Sequence, residues 1–281
     1  MDTSSPLISV AELRQALGSD HPPALLDVRY KQGGAPGAEE FAQGHLPSAH
    51  FVDLDRDLAG PPGGGRGRHP LPDLEEFGAA MRRVGVSSGR TVVLYDDWVS
   101  AAASRAWWLL RWAGHTDVRV LDGGLSAWRA AGLPLTDHQP EPEEGDFKPV
   151  AGQLPTLEAE QTAAFARTGL LLDARAGERY RGEVEPFDPA AGHIPGAVNA
   201  PTMENVGPDG RFLPAEQLAE RFRGFGVGER ETAVYCGSGV TAAHQLLAMA
   251  VAGFEGTLYP GSWSEWCADP SRPVATGSAE G

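Results

Sequence analysis

Cysteine is nearly missing from this sequence: two stand among 281 residues, Cys236 and Cys267. Two thiols cannot form a disulfide framework, and neither belongs to a CxxC pair or to a His/Cys cluster with metal-ligand spacing, so no metal is expected. Basic residues are scarce as well, 23 Lys and Arg against 38 Asp and Glu, for a formal charge of −15. That balance argues against a nucleic-acid partner, which is held by clustered Lys and Arg neutralising phosphates. No run approaches the roughly 20 apolar residues that span a bilayer, so no membrane partner is expected. The opening MDTSSPLISV lacks a basic segment followed by an apolar one. The cytoplasm is therefore the expected compartment.

What the chain does have is an internal repeat. LLDVR (25–29) returns as LLDAR (171–175), GHLPSA (44–49) as GHIPGA (192–197), TVVLYD (91–96) as TAVYC (232–236), and GGLSAW (123–128) as GSWSEW (261–266). Four blocks in the same order indicate duplication, and a period of about 140 residues makes each copy a whole domain rather than a solenoid unit. The expected division is 1–138 for the first domain, 139–153 for a linker and 154–281 for the second. The stretch DHQPEPEEGDFKPVAGQ (137–153) is rich in proline and acids and lacks periodicity, as befits a linker over the surface.

Within each copy short apolar runs alternate with helical patterns. LLDV and LLDA, TVVLY and TAVY, VRVLD (118–122) and TLYP (257–260) read as buried strands, whereas AAASRAWWLLRWAG and TAAHQLLAMAVAG read as helices ended by Gly114 and Gly253. The alternation predicts an α/β fold in each half, a mainly parallel sheet flanked by helices. Ligands of such sheets sit beyond the carboxyl ends of the strands, where Cys236 and Arg175 fall.

Cys236 closes one such strand and is followed by two glycines and a helix: YCGSGVTAA (235–243). A thiolate is the nucleophilic form of cysteine, and a helix N-terminus favours it through unpaired N–H groups. Gly237 and Gly239 free the backbone to curl, so amides from Ser238 to Ala242 can form an anion-binding nest around the sulfur. The first copy reads YDDWVSAAAS (95–104), with Asp96 in place of the cysteine.

The CGSGVT loop, taken with LLDAR, GHIPGA and the duplicated upstream half, resembles the rhodanese superfamily of two-domain sulfurtransferases, and within it the 3-mercaptopyruvate sulfurtransferase branch. The resemblance spans about residues 7–275. It implies two tandem rhodanese-like domains, a catalytic cysteine in the second only, a cysteine persulfide intermediate, and no cofactor. The partners it implies are a small anionic sulfur donor and a thiol or thioredoxin-like acceptor. On this reading Cys236 is the nucleophile, and Gly237, Gly239, Val240 and Thr241 of its loop are substrate-binding residues. Arg175 and Arg181 match arginines that grip the donor carboxylate, with Arg179 a near neighbour able to replace Arg181. Asp55 (in FVDLD, 51–55) and His69 (in GRHPLP, 67–72) match a relay completed by Ser238. Asp53 competes with Asp55, and the intervening PPGGGRG is longer and richer in glycine than the family pattern.

Three other readings are set against this one. Cysteine-dependent phosphatases use Cys-x5-Arg to hold phosphate oxygens, but here Ala242 stands six positions after Cys236. Thiosulfate-preferring relatives carry basic residues directly after the cysteine, where this chain has Gly237 and Ser238, so mercaptopyruvate is the expected donor and thiosulfate the alternative. A non-enzymatic binding module would commonly lack the cysteine. His45, His193, Asp27 and Asp173 occur in both copies and are expected to serve the fold. Trp107, Trp108 and Trp112 recur at helical spacing, as core or interdomain residues do. His244 sits on a helix, and Cys267 is expected to be inert.

Overall fold

Strands of four buried, mostly apolar residues form the centre of each sheet, as parallel strands covered on both faces do. The computed structural model describes residues 5–31, 34–141 and 143–281. Among them the strands are β1 (Leu7–Ile8), β2 (Ala24–Asp27), β3 (Ala49–Phe51), β4 (Val92–Tyr95), β5 (Val118–Leu121), β6 (Leu170–Asp173), β7 (Ala197–Asn199), β8 (Thr232–Tyr235) and β9 (Thr257–Leu258). The first five form one sheet in the order β1-β5-β4-β2-β3, and the other four a second sheet in the order β7-β6-β8-β9. Every pairing is parallel. The repeat is visible in the register: Leu25 sits opposite Val93 in one sheet as Leu171 sits opposite Ala233 in the other.

Helices Ala101–Trp112 and Val240–Val251 follow the strands β4 and β8. Both are apolar almost all round and buried accordingly. Gly114 and Gly253 lie just past their ends at φ 93° and 81°, the left-handed conformation that terminates a helix. Trp107, Trp108 and Trp112 are buried, and the last two stack with ring centroids 6.1 Å apart. Among the described residues, no helix is long and apolar enough to cross a membrane.

The chain divides into two compact units whose boundaries depart from the expected ones. The first comprises residues up to Gly60, Pro72–Gln153 and Gly207–Phe212; the second comprises Pro61–Leu71, Leu154–Val206 and Leu213–Gly281. Thus 139–153 is not a free linker but part of the first unit. Phe147 is buried, its N–H donates to Val86 O at 3.3 Å, Gly145 N–H to Arg82 O at 2.8 Å, and Val150 N–H to Ala113 O at 2.9 Å. One aromatic anchor and these main-chain bonds hold a segment whose composition alone reads as loose.

Candidate active site

β8 delivers Cys236 to the carboxyl end of the second sheet, and a neighbouring turn fixes it there. The Cys236 N–H donates to Ser262 Oγ at 3.1 Å, and its carbonyl accepts from Trp263 N–H at 2.9 Å. Ser264 N–H donates to Gly237 O at 2.9 Å. Gly239, at φ 80°, makes the left-handed step into helix Val240–Val251, and its N–H points at Cys236 Sγ, 3.1 Å away. Val240 and Thr241 begin that helix. Ser262 has φ 54°, a strained conformation for a residue with a side chain. The matching residue of the first copy is Gly124, where a Cβ would lie 2.3 Å from Asp96 O. The second copy accepts this strain in a residue whose hydroxyl holds the backbone of Cys236.

The first copy has Asp96 where the second has Cys236. Asp96 Oδ1 accepts the N–H groups of Trp98 (2.8 Å) and Ser100 (2.9 Å), and Oδ2 accepts that of Ala103 (2.9 Å). A carboxylate of the chain itself fills the amide nest. Burial pushes the Asp96 carboxyl up to about 6 although these three N–H groups pull it down. A raised value means that folding favours the protonated acid. Its stabilising contribution is complete below the unfolded value near 3.8 and is lost as pH rises through about 6. In urea titrations the wild type is therefore expected to gain about 1 kcal/mol over Asp96→Asn between pH 7 and pH 5. A pH-independent difference would show that this carboxyl does not titrate there.

The Pro61–Leu71 segment, packed within the second unit, carries His69 to the loop: His69 Nδ1 and Ser238 Oγ are 2.8 Å apart, and both residues are buried. Gly67 makes the approach feasible. It has φ 85°, and a Cβ there would stand 2.8 Å from both Gly261 O and Ser264 Oγ. The unusual glycine content of this segment thus has a local cause at position 67. Asp55 lies in the first unit on the short helix Leu54–Asp57. Asp53 is that helix's N-cap, accepting the Arg56 N–H at 3.0 Å, so it already has a structural task.

The arginines are arranged differently from the expectation. Arg175 is enclosed, with its side chain 1% exposed. Its Nε bonds both Asp173 oxygens at 3.0 and 3.1 Å, and its Nη2 donates to Asp173 Oδ2 at 2.6 Å and to Gly192 O at 2.7 Å. Its Nη1 faces Glu185 Oε2 at 3.4 Å. Arg29 makes the same fork with Asp27 and donates to Gly44 O in the copy without a cysteine. Arg175 is therefore committed to the fold and leaves no donor pair for a carboxylate. Arg181 is also misplaced in the expectation: it lies at the surface, paired with Glu183 at 2.8 Å. The guanidinium groups beside the loop belong to Arg179 and to Arg68, which the sequence reading overlooked. A Cβ on Gly237 would be 3.0 Å from Arg68 Nη2 and 3.3 Å from Arg179 Nη1.

The histidines that both copies share, together with His244 and Cys267, are bound into the packing of their own units. His45 and His193 are buried, bond Phe41 O and Tyr180 O through Nδ1 at 2.8 Å, and stack on those same rings with centroids 3.7 Å apart. His244 Nδ1 meets Thr202 Oγ1 at 2.7 Å inside the second unit. Burial, reinforced by the charges of Asp188 and Glu185, pushes the Cys267 thiol up to about 11, which leaves it protonated and unreactive at neutral pH.

The rhodanese-like domain family matches residues 9–131 and 157–269. A probable 3-mercaptopyruvate sulfurtransferase of Pseudomonas aeruginosa is 49% identical, over 98% of this chain and 99% of its own. A putative thiosulfate sulfurtransferase of Mycobacterium tuberculosis, SseB, is 46% identical over 97% of this chain and 98% of its own. Among solved structures, the 3-mercaptopyruvate sulfurtransferase SseA from Escherichia coli superposes with a TM-score of 0.82 at 32% identity, covering 93% of this chain and all of that one.

Proposed function

The chain belongs to the rhodanese family, as two tandem rhodanese-like domains, and from that premise we propose that it is a sulfurtransferase taking sulfur from 3-mercaptopyruvate through a persulfide on Cys236. The observation that carries this reading is the loop: Cys236 Sγ faces the Gly239 N–H at a helix start, and two residues on the Ser238 hydroxyl is paired with His69. Relatives named as 3-mercaptopyruvate sulfurtransferases along nearly the full chain support it.

The chemistry is a two-stage transfer. The Cys236 thiolate attacks the donor's thiol sulfur, and a sulfur–sulfur bond forms as the C3–S bond breaks. The electron pair of that bond passes into the enolate of pyruvate. The proton released from the donor thiol returns to C3 through the Ser238 hydroxyl and His69, giving pyruvate and a Cys236 persulfide anion. N–H groups of the loop stabilise that anion as an oxyanion hole stabilises oxygen. A thiol, a thioredoxin-like protein or cyanide then attacks the outer sulfur and regenerates the thiolate. Asp55 is retained as the relay carboxylate on the family resemblance. The cytoplasm remains the proposed compartment.

Incubation with 3-mercaptopyruvate is expected to release pyruvate and leave one cyanide-labile sulfur per chain. Neither product from wild-type protein would refute the reading. His69→Ala is expected to lower kcat by about 10²- to 10⁴-fold, the usual scale for removing a general acid–base, with a smaller change in KM. An unchanged kcat would remove His69 from the proton path.

Thiosulfate is the second reading, favoured by Arg68. The space beside Gly237 is not as neutral as the adjacent sequence implies, because a cation arrives from a distant segment. Two carboxylates balance the two arginines there, however: Asp188 pairs with Arg68, and Glu185 with Arg179 at 2.7 Å. A site without excess positive charge suits a planar carboxylate better than a compact dianion. Parallel kinetics with both donors decide between them.

A further inference from the structure

The two arginines beside Gly237 belong to a cluster of four charged side chains and Phe187 that the catalytic loop alone does not require. Arg68 and Arg179 pack over the Phe187 ring, their guanidinium carbons 5.6 and 5.2 Å from its centroid. Asp188 lies between them, ion-paired with Arg68 through Oδ1 and 3.5 Å from Arg179 Nη2 through Oδ2. Glu185 holds the far edge of Arg179 at 2.7 and 2.9 Å. The Asp188 side chain is 3% exposed, whereas that of Arg68 is 25% exposed, so the carboxylate is the buried base of the cluster and the arginine its open edge.

Arg68 is held in register with the nucleophile. Its main-chain N–H donates to Ser264 Oγ at 3.1 Å, while Ser264 N–H donates to Gly237 O at 2.9 Å, so one serine ties Arg68 to the residue after Cys236. Among the described residues its buried Nε has no hydrogen-bond partner, an unspent donor on the same guanidinium whose Nη2 approaches Gly237. An arginine that served Asp188 alone would turn its fork fully onto that carboxylate, as Arg175 does with Asp173. Arg68 instead uses Nη1 for Asp188 and leaves its other edge toward the loop.

We propose that Arg68 is a donor-binding residue that takes the carboxylate of the sulfur donor together with Arg179, and that Asp188 is the positioning residue that splays the two arginines and excludes doubly charged donors. This rests on the sulfurtransferase reading of Cys236. Arg179 spends Nε and Nη2 on Glu185 and keeps Nη1 toward Gly237, so a carboxylate entering there meets Arg179 Nη1 and Arg68 Nη2 and takes one charge-assisted bond from each. Asp188 keeps the formal charge of the pocket low, so a second negative charge on the donor has nothing to neutralise it.

The test uses the full chain and two independent readouts. With 3-mercaptopyruvate, Arg68→Gln is expected to raise KM about 10- to 100-fold with kcat changed much less, and Arg68→Lys to recover part of the loss. Asp188→Asn is expected to raise kcat/KM for thiosulfate relative to 3-mercaptopyruvate by about tenfold or more. The second readout needs no turnover: alkylation of Cys236 by iodoacetate, which carries a carboxylate, against iodoacetamide, which does not. Arg68→Gln is expected to lower the iodoacetate-to-iodoacetamide rate ratio about tenfold, with Arg68→Lys between it and wild type. If Arg68→Gln melts like wild type and leaves both KM and the alkylation ratio unchanged, the proposal is wrong. Wild-type protein that turns over neither donor while its alkylation ratio still depends on Arg68 refutes the sulfurtransferase reading and leaves the carboxylate site standing.

Discussion

Cys236→Ser is expected to abolish pyruvate release from 3-mercaptopyruvate, by a factor on the order of 10⁴ or more, while unfolding at the wild-type temperature. The activity goes because a serine hydroxyl is almost wholly protonated at neutral pH and cannot hold a transferable sulfur. The fold stays because the backbone of the loop does not depend on the sulfur. The N–H of residue 236 is taken by Ser262 Oγ, its carbonyl by Trp263 N–H, and the carbonyl of Gly237 by Ser264 N–H. A serine oxygen is smaller than sulfur and still offers an acceptor to the Gly239 N–H. Cys267→Ser serves as the control and is expected to leave turnover within about twofold of wild type, since that thiol is held protonated by burial. Labile sulfur measured after donor treatment should be near one per chain in wild type and Cys267→Ser, and near zero in Cys236→Ser. Persistent labile sulfur in the Cys236 variant would transfer the role of nucleophile to another group.

How far the sequence leads is set by how local the determining interactions are. Strands such as LLLD and TAVY are buried on both faces and announce themselves by composition. The cysteine turn does so through its glycines, of which Gly239 takes the left-handed step at φ 80°. His45 and His193 were assignable to the fold because both copies keep them, and their matching stacks on Phe41 and Tyr180 agree. The same logic bears on the arginines: Arg29 stands in the copy with no cysteine, so the repeat itself points to a fold role for Arg175. The family resemblance points the other way. Arg68 was beyond reach for a different reason. It and His69 come from a glycine-rich segment 169 positions before Ser238 in the case of the histidine. Nothing in GRHPLP states that its backbone will lie against Gly261 and Ser264, which takes a left-handed glycine at 67 and the turn that receives it.

Arg175→Ala is expected to lower the stability of the second unit by about 3–5 kcal/mol, the cost of leaving one member of a buried ion pair without its partner. Asp173 would keep a charge at a position with no exposure, losing the fork of Nε and Nη2, and Gly192 O would lose its donor. The side chain also packs over Trp263, with its guanidinium carbon 4.7 Å from the ring centroid, so the turn that holds Cys236 would loosen as well. Arg29→Ala provides the internal comparison, because the first unit builds the same fork on Asp27 in the copy that has no cysteine. Both variants should lose stability to a similar degree in urea titrations, each in its own unit. Arg175→Lys should recover only part of the loss, since one ammonium cannot reproduce two parallel bonds to Asp173 and a third to Gly192. A donor-binding arginine would behave in the opposite way, raising KM with the unfolding midpoint unchanged. If Arg175→Ala unfolds like wild type while its KM for 3-mercaptopyruvate rises tenfold or more, the guanidinium leaves Asp173 when the donor enters, and Arg175 returns to the binding site.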